Sequence, residues 1–252
     1  MRGPCVGRGL TARARFHRLT GDPPGGILGT MPTRFLNRRA AGRELAELLG
    51  GYASRPDTVV LGLPRGGVPV AYEVASVLSL PLDAFVVRKL GLPQNDEVAF
   101  GAIAPGGVRV LNADLIERVG LAADDVERIT AREQRELARR DTLDRGGAPP
   151  PTITNQTVIL VDDGLATGAS MSAAVAALRA QQPQRIVVAV PVASSDAFRA
   201  LRGIADEIVS VMTPEPFDGV GRWYVEFGQT SDEEVQRLLH DACAFTPPRA
   251  AP

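Results

Sequence analysis

Two adjacent carboxylates, Asp162 and Asp163, follow an apolar run and precede a turn rich in glycine and hydroxyl groups. The segment that contains them reads VILVDDGLATGAS, from Val158 to Ser170. Hydroxyls and free N–H groups at the start of a helix bind anions, and glycines let a ligand approach the backbone. The turn has no Lys or Arg, so neutral donors and the helix dipole would bind a phosphate there. Acids beside such a site suit sugar hydroxyls or a hydrated divalent cation.

A second glycine-rich turn, GLPRGG from Gly62 to Gly67, follows another short apolar run. Pro-x-Gly-Gly is an ordinary turn by itself, but this one contains Arg65 and lies between a predicted strand and a predicted helix. Another basic candidate is Lys89, the only lysine in a chain with 27 arginines, which follows Arg88. Lysines are mostly surface residues, so this position alone assigns Lys89 no role. The nucleotide-binding patterns G-x-x-x-x-G-K-[ST] and G-x-G-x-x-G are absent from the sequence.

Alternating strands and helices must position these turns. Short apolar runs, rich in β-branched residues, predict strands at Thr58–Leu63, Leu82–Val87, Thr157–Asp163, Arg185–Ala193 and Glu207–Val211. Helical spacing is found at Arg34–Tyr52, from Val68 onward, at Asp124–Arg145, up to about Gln182, at Asp196–Arg202 and after the capping residue Ser231. A stretch with Gly, Pro and Asn follows the second strand, and the runs AFGAIA and GVRVLN then predict a hairpin. The alternation indicates an α/β fold, a doubly wound and mostly parallel sheet flanked by helices, which binds ligands at the carboxyl ends of its strands.

The strand, acid pair, TG turn and helix occur in the order that is typical of one family. They resemble the phosphoribosyl-diphosphate signature of the type I phosphoribosyltransferases, in which an apolar strand is followed by two acids and a TG-containing loop. The similarity extends over roughly Phe35 to Asp241. The segments VVRKLGLPQNDEVAFGA and WYVEF resemble an uncharacterised bacterial branch of that family. The resemblance implies the family's parallel-sheet fold with a small hood region.

The resemblance also implies site residues. Asp162 and Asp163 would contact the ribose hydroxyls and hold Mg²⁺ through water. The 5′-phosphate site would comprise Gly164, Ala166, Thr167, Gly168, Ala169 and Ser170. The diphosphate site would comprise Arg65, Gly66, Gly67, Arg88 and Lys89, with a mobile segment after the second strand presenting the last two. The acid pair, Arg65 and Lys89 would be the catalytic residues.

The implied activity is that of a Mg²⁺-dependent pentosyltransferase. It would move the phosphoribosyl group of phosphoribosyl diphosphate (PRPP) to a nitrogenous base or related acceptor and release pyrophosphate. The alternative is a non-catalytic regulatory protein that binds PRPP. The lack of an evident general base, with Glu97 a weak candidate, favours the regulator, whereas Lys89 favours the enzyme. Ala166 makes the TG turn more like that of adenine phosphoribosyltransferase than that of the hypoxanthine/guanine enzymes.

Composition sets limits on the class of protein. A chain of 252 residues with a hydrophobic fraction of 44% and a charged fraction of 23% is typical of a globular protein rather than a disordered one. No run approaches the roughly 20 apolar residues of a membrane span. The net charge of −1 argues against a broad surface for nucleic acid. The predicted helix at Asp124–Arg145 contains six arginines and seven acids, and this balance predicts an ion-paired face that is exposed to solvent. Two thiols cannot build a disulfide framework or the usual four-ligand structural zinc site, and the presence of only two histidines, His17 and His240, argues against a histidine-based metal centre.

The ends of the chain differ from its centre. Residues 1–30 contain five arginines and one acid, which predicts a disordered Arg/Gly/Pro-rich extension. RNA binding would rest on this segment alone. A phosphoribosyltransferase-like domain is predicted over residues 31–245, and a disordered tail over 246–252. We expect a cytoplasmic protein with PRPP and a small-molecule acceptor as partners, neither nucleic acid nor membrane, and a possible homodimer.

Overall fold

The computed structural model describes residues 34–145 and 150–245, apart from the side chains of residues 96, 97 and 244. The predicted extension at 1–30 and the predicted tail at 246–252 lie outside the described residues. The strands are β1 (Thr58–Gly62), β2 (Leu82–Ala84), β3 (Arg88–Leu92), β4 (Asn95–Ala104), β5 (Val108–Leu111), β6 (Thr157–Val161), β7 (Arg185–Val192) and β8 (Glu207–Met212). The α-helices are α1 (Arg38–Leu48), α2 (Gly67–Leu78), α3 (Ala113–Val119), α4 (Ala123–Arg145), α5 (Ala169–Arg179), α6 (Ser195–Leu201) and α7 (Asp232–Ala242). Short 3₁₀ helices lie at Gly50–Tyr52, Val220–Trp223 and Cys243–Phe245.

A five-stranded parallel sheet, in the order β2-β1-β6-β7-β8, forms the centre of the molecule. Every residue of β1 and β6 is buried, which explains why these strands are continuous apolar runs without alternation. Leu45, Val74 and Leu78 of α1 and α2 pack on one face of the sheet. Met171 and Leu178 of α5 pack on the other. The predicted α/β class, with a doubly wound and mostly parallel sheet, is therefore confirmed.

The order of the strands reverses between β1 and β6. These two strands are neighbours in register from Thr58↔Thr157 to Gly62↔Val161. From β1 the chain continues to β2 on one side, and from β6 it continues to β7 and β8 on the other. The connections therefore diverge at the carboxyl ends of β1 and β6 and leave a crevice, which is where open parallel sheets bind ligands. Both predicted turns, GLPRGG and DDGLATGAS, begin at this crevice.

A smaller antiparallel sheet, in the order β3-β4-β5, covers one side of the crevice together with α3 and α4, and we call this unit the hood. Its core includes Leu90, Phe100 and Ile103 from the strands and Ile129 from α4. The predicted hairpin is confirmed as β4 and β5. The strand β3 was not predicted, since RKLGL lacks an alternating apolar pattern and extends only through its pairing with β4.

Helix α4 has the ion-paired face that its charge pattern predicts. Arg128 pairs with Asp125 at 2.7 Å, and Arg139 pairs with Glu136 at 2.6 Å. Arg145 departs from this prediction because its side chain is only 3% exposed and bonds Asp83 at 2.8 Å. In the part of the chain that the structure describes, no helix is both long and apolar enough to cross a membrane.

Candidate active site

The PRGG turn packs directly against the acid pair. Leu63 N donates to Val161 O at 2.9 Å, which joins the start of the turn to the end of β6. A Cβ on Gly66 would collide with the carboxylate of Asp163, and a Cβ on Gly67 would lie 2.7 Å from Val161 O. Gly67 therefore requires glycine, and a side chain at Gly66 would displace the Asp163 carboxylate. The Pro64–Arg65 peptide bond is cis.

The two adjacent aspartates have different surroundings. Asp162 faces a pocket, whereas Asp163 accepts a hydrogen bond from Arg38 Nε at 2.8 Å. The backbone N–H of Asp163 donates to Asp162 Oδ1 at 2.8 Å, and the hydroxyl of Tyr224 donates to Asp163 O at 2.6 Å. Burial and the adjacent Asp163 raise the pKa of Asp162 well above its usual range. Burial also raises the pKa of Asp163, and Arg38 opposes that rise.

The TG turn places backbone donors at the start of α5. Gly168, at φ +75°, is the N-terminal cap of this helix and has no side chain, and the first amide, Ala169 N, donates a 3.4 Å hydrogen bond to Thr167 Oγ1. The turn is anchored by a bridge between Leu165 and Ala193 and by Ser194 Oγ, which donates to Ala166 O at 2.6 Å. Residues 166, 167 and 170 are exposed. The first turn of α5 is thus an accessible site for an anion.

A pocket of about 310 Å³ lies where these segments meet. Four predicted residues line it together, namely Arg65, Arg88, Asp162 and Ser170. A wider pocket of about 830 Å³ shares Val87, Arg88 and Ser170 with the first and extends below the hood. Lys89 lines this wider pocket, on β3, where it is paired with Ala102 of β4. The predicted basic segment is therefore part of a β-strand of the hood in this structure.

Not every predicted residue reaches the pockets. The predicted residues that line neither pocket are Gly66, Gly67, Asp163, Gly164, Ala166, Thr167, Gly168 and Ala169. The side chain of Glu97, the weak candidate for a general base, is outside what the structure describes. Aromatic residues near the crevice pack in the core, since Tyr224 is 3% exposed and belongs to a cluster with Trp223 and Phe217.

The structure adds charged residues that the motifs did not include. They are Arg38, Glu133, Arg140, Asp144 and Asp232. Glu133 bonds Arg88 Nε at 2.8 Å, and Asp232 pairs with Arg140 at 2.7 Å and with Arg65 at 3.6 Å. In the sequence, these residues are ordinary members of charged helix faces. No local pattern distinguishes them, because their partners lie far away along the chain.

The acid pair fits a divalent cation that is shared with a ligand. Among the described residues, no group of three or more His, Cys, Asp or Glu could hold a metal ion alone. Mg²⁺ commonly binds through one or two carboxylates, several waters and the oxygens of a phosphorylated substrate. Asp162, which faces a pocket that three arginines also line, meets that description.

The fold and the site define a protein of the phosphoribosyltransferase class. The defining features are the parallel sheet, the acid pair at the crevice where the strand order reverses, and the glycine turn that contains Arg65. Residues 34–215 match the family model described as "Phosphoribosyl transferase domain", and the chain belongs to this family. The family resemblance expected from the sequence is therefore confirmed.

Named relatives agree with this assignment. Two Mycobacterium tuberculosis proteins, MT0597 and Rv0571c, are provisionally named phosphoribosyl transferases. Each is 45% identical to this chain over 208 residues. The matched residues cover 82% of this chain and 47% of each relative. The chain therefore spans about half the length of these curated relatives. The crystal structure of TT1426 from Thermus thermophilus is similar with a TM-score of 0.76 at 43% identity, covering 83% of this chain and 99% of that one.

Proposed function

We propose that this protein transfers the phosphoribosyl group of PRPP to a nitrogen nucleophile and releases pyrophosphate. The observation that carries the proposal is the convergence of Arg65, Arg88, Asp162 and Ser170 around one pocket at the sheet's switch point. These residues come from three separate segments of the chain, and together they offer the chemistry that the phosphates and the ribose of PRPP need.

Each part of PRPP has a matching group. The exposed amides at the start of α5 suit the 5′-phosphate, because the helix dipole favours an anion there. Asp162 faces the pocket beside them and suits the ribose hydroxyls. Arg65 and Arg88 suit the diphosphate, since each guanidinium group can bond two phosphate oxygens at once. Lys89 is a further cation, in the adjoining pocket.

The transfer forms a bond between the acceptor nitrogen and C1′ and breaks the bond between C1′ and the diphosphate oxygen. The bonding electrons leave with the diphosphate, and the proton of the acceptor nitrogen passes to water. Positive charge grows on the sugar and negative charge on the leaving group, so Arg65, Arg88 and Lys89 would stabilise the departing anion. A hydrated Mg²⁺ held by Asp162 would supply further positive charge opposite that anion. Binding of the 5′-phosphate at α5 would fix the position of C1′.

Calorimetry with PRPP, with and without Mg²⁺, tests the binding half of this proposal. We expect Mg²⁺-dependent binding that Asp162→Asn abolishes and that Asp196→Asn, a change at an exposed residue of α6, leaves intact. A panel of bases with pyrophosphate as the readout tests the chemical half. PRPP binding without turnover of any base would make the protein a regulator, and absence of PRPP binding would refute the proposal.

A further inference from the structure

Arg140 is a cation of the small pocket that belongs to none of the motif segments. It lies on α4 of the hood and lines the 310 Å³ pocket together with Arg65 and Arg88. Its neighbour Arg139 is on the outer side of the helix, where it pairs with Glu136. Helix α4 therefore adds a third guanidinium group to the two, Arg65 and Arg88, that the sequence predicted for this site.

One carboxylate fixes two of these arginines. Asp232 Oδ1 lies 2.7 Å from Arg140 Nη1 and 3.6 Å from Arg65 Nη1. Asp232 is the first residue of α7, and this end of the helix is capped by Ser231 Oγ, which accepts a hydrogen bond from Glu234 N. The side-chain amide of Gln236 donates to Leu143 O at 2.7 Å, which ties α7 to α4. Asp232 is thus within ion-pair distance of both Arg65 and Arg140, on a helix that is bonded to α4.

A buried carboxyl points to a ligand in the same pocket. Asp144 lies one turn after Arg140, is 2% exposed and lines the pocket. Neither of its side-chain oxygens accepts a hydrogen bond from a described residue. Burial raises the pKa of Asp144, so its proton is available to a phosphate oxygen over a wider pH range than an ordinary carboxyl's.

The three guanidinium groups that line the pocket offer more hydrogen-bond donors than a single phosphate group can use. Arg65, Arg88 and Arg140 line the pocket, and Asp144 and Asp162 are the acids that do so. Asp232 pairs with Arg65 and Arg140, and Glu133 pairs with Arg88. A diphosphate has more charge than one arginine can neutralise, and planar guanidinium groups can each bond two of its oxygens.

We propose that Arg140 is a diphosphate-binding residue contributed by the hood, and that Asp232 is the positioning residue that holds it beside Arg65. This inference rests on the proposed function, because it assigns the diphosphate of PRPP to this pocket. It adds to the motif a contact that comes from α4, 75 residues after Arg65 along the chain.

Two probes separate this role from a structural one. Inorganic pyrophosphate with Mg²⁺ reports on the diphosphate site, and ribose 5-phosphate reports on the remainder of the PRPP site. We expect Arg140→Gln to weaken pyrophosphate binding by about 10-fold or more and to leave ribose 5-phosphate binding within about twofold. The matched control Arg139→Gln, on the outer side of α4, should change neither affinity. Equal weakening for both probes, or no change for either, would overturn the inference.

Two further variants, Arg140→Lys and Asp232→Asn, distinguish the proposed roles from a general loss of folding. Arg140→Lys keeps the charge and should give a pyrophosphate affinity between those of the wild type and Arg140→Gln; an unchanged affinity would count against a guanidinium contact. Asp232→Asn should raise the KM for PRPP more than it lowers kcat, since it acts through the two arginines, and equal effects would contradict its positioning role. A wild type that binds neither PRPP nor ribose 5-phosphate would refute the proposed function itself. If the wild type binds both, and Arg140→Gln binds pyrophosphate as tightly as the wild type, only the inference about Arg140 is refuted.

Discussion

Arg38 and Asp163 form an ion pair with 2.8 Å between Nε and Oδ2, although 125 residues separate them. The side chains are 13% and 15% exposed. Arg38 also donates to Gly228 O at 2.7 Å and lies 4.0 Å from the centre of the Phe227 ring. The pair therefore joins α1, the end of β6 and the segment before α7. It also makes the two aspartates different, because Asp163 is paired with Arg38 whereas Asp162 faces the pocket.

Removal of Arg38 should destabilise the fold. Arg38→Gln leaves the buried carboxylate of Asp163 without its charged partner, which should cost about 2 kcal/mol of unfolding free energy in urea denaturation. The double variant Arg38→Gln/Asp163→Asn should recover part of that loss, because no buried charge remains unpaired. A loss below about 0.5 kcal/mol in the single variant would show that the pair adds nothing to stability.

Asp162 and Asp163 should respond differently to neutral substitution. Asp162→Asn should lose Mg²⁺-dependent PRPP binding with little change in Tm, because Asp162 faces the pocket. Asp163→Asn should lower Tm through the loss of the Arg38 pair. Calorimetry and thermal denaturation on both variants make the comparison. Wild-type affinity in Asp162→Asn would remove this residue from the site.

Gly66 should not tolerate a side chain. A Cβ there meets the carboxylate of Asp163, so Gly66→Ala should cost about 1–3 kcal/mol and also weaken PRPP binding by displacing the acid pair. Gly203→Ala is a matched control, since a Cβ at that position has no atom within 4 Å. Equal stability of the two variants would show that the PRGG turn moves freely away from β6.

Asp144 should make stability depend on pH. Its pKa is raised by burial, so the folded state binds more protons than the unfolded state, and stability falls as pH rises above the usual carboxyl pKa and through the raised one. Asp144→Asn removes this loss. Its unfolding free energy should exceed the wild type's by about 1 kcal/mol at pH 8, roughly 2–4 °C in Tm, and the gain should vanish below about pH 4. A gain that is constant with pH would point to packing rather than charge.

Lys89 should affect turnover more than binding. It lines the 830 Å³ pocket. Arg88, the preceding residue, lines both this pocket and the smaller one that is assigned to the leaving diphosphate. Lys89→Ala should lower kcat by about 100-fold with a much smaller change in the Kd for PRPP, because the charge it would neutralise develops in the transition state. An unaltered kcat would exclude Lys89 from the mechanism.

The sequence predicted the elements whose signals are local. The runs TVVLG and TVILV become buried neighbouring strands because β-branched apolar residues without alternation suit a sheet that is covered on both faces. The acid pair and both turns follow directly from the ends of these strands, so their place at the crevice was predictable too. Likewise, Ser231 caps α7 as its spacing to Glu234 indicated.

Tertiary structure alone decided the features that depend on distant residues. The strand β3 extends only through its pairing with β4, and Arg38, Arg140 and Arg145 find their carboxylates 125, 92 and 62 residues away. An arginine on a charged helix face has the same local pattern whether it faces solvent or a pocket. The sequence by itself therefore determined the sheet, its crevice and the motif that lines it. Only the folded chain decided which aspartate faces the pocket and which arginines join it, because contacts between remote segments set these choices.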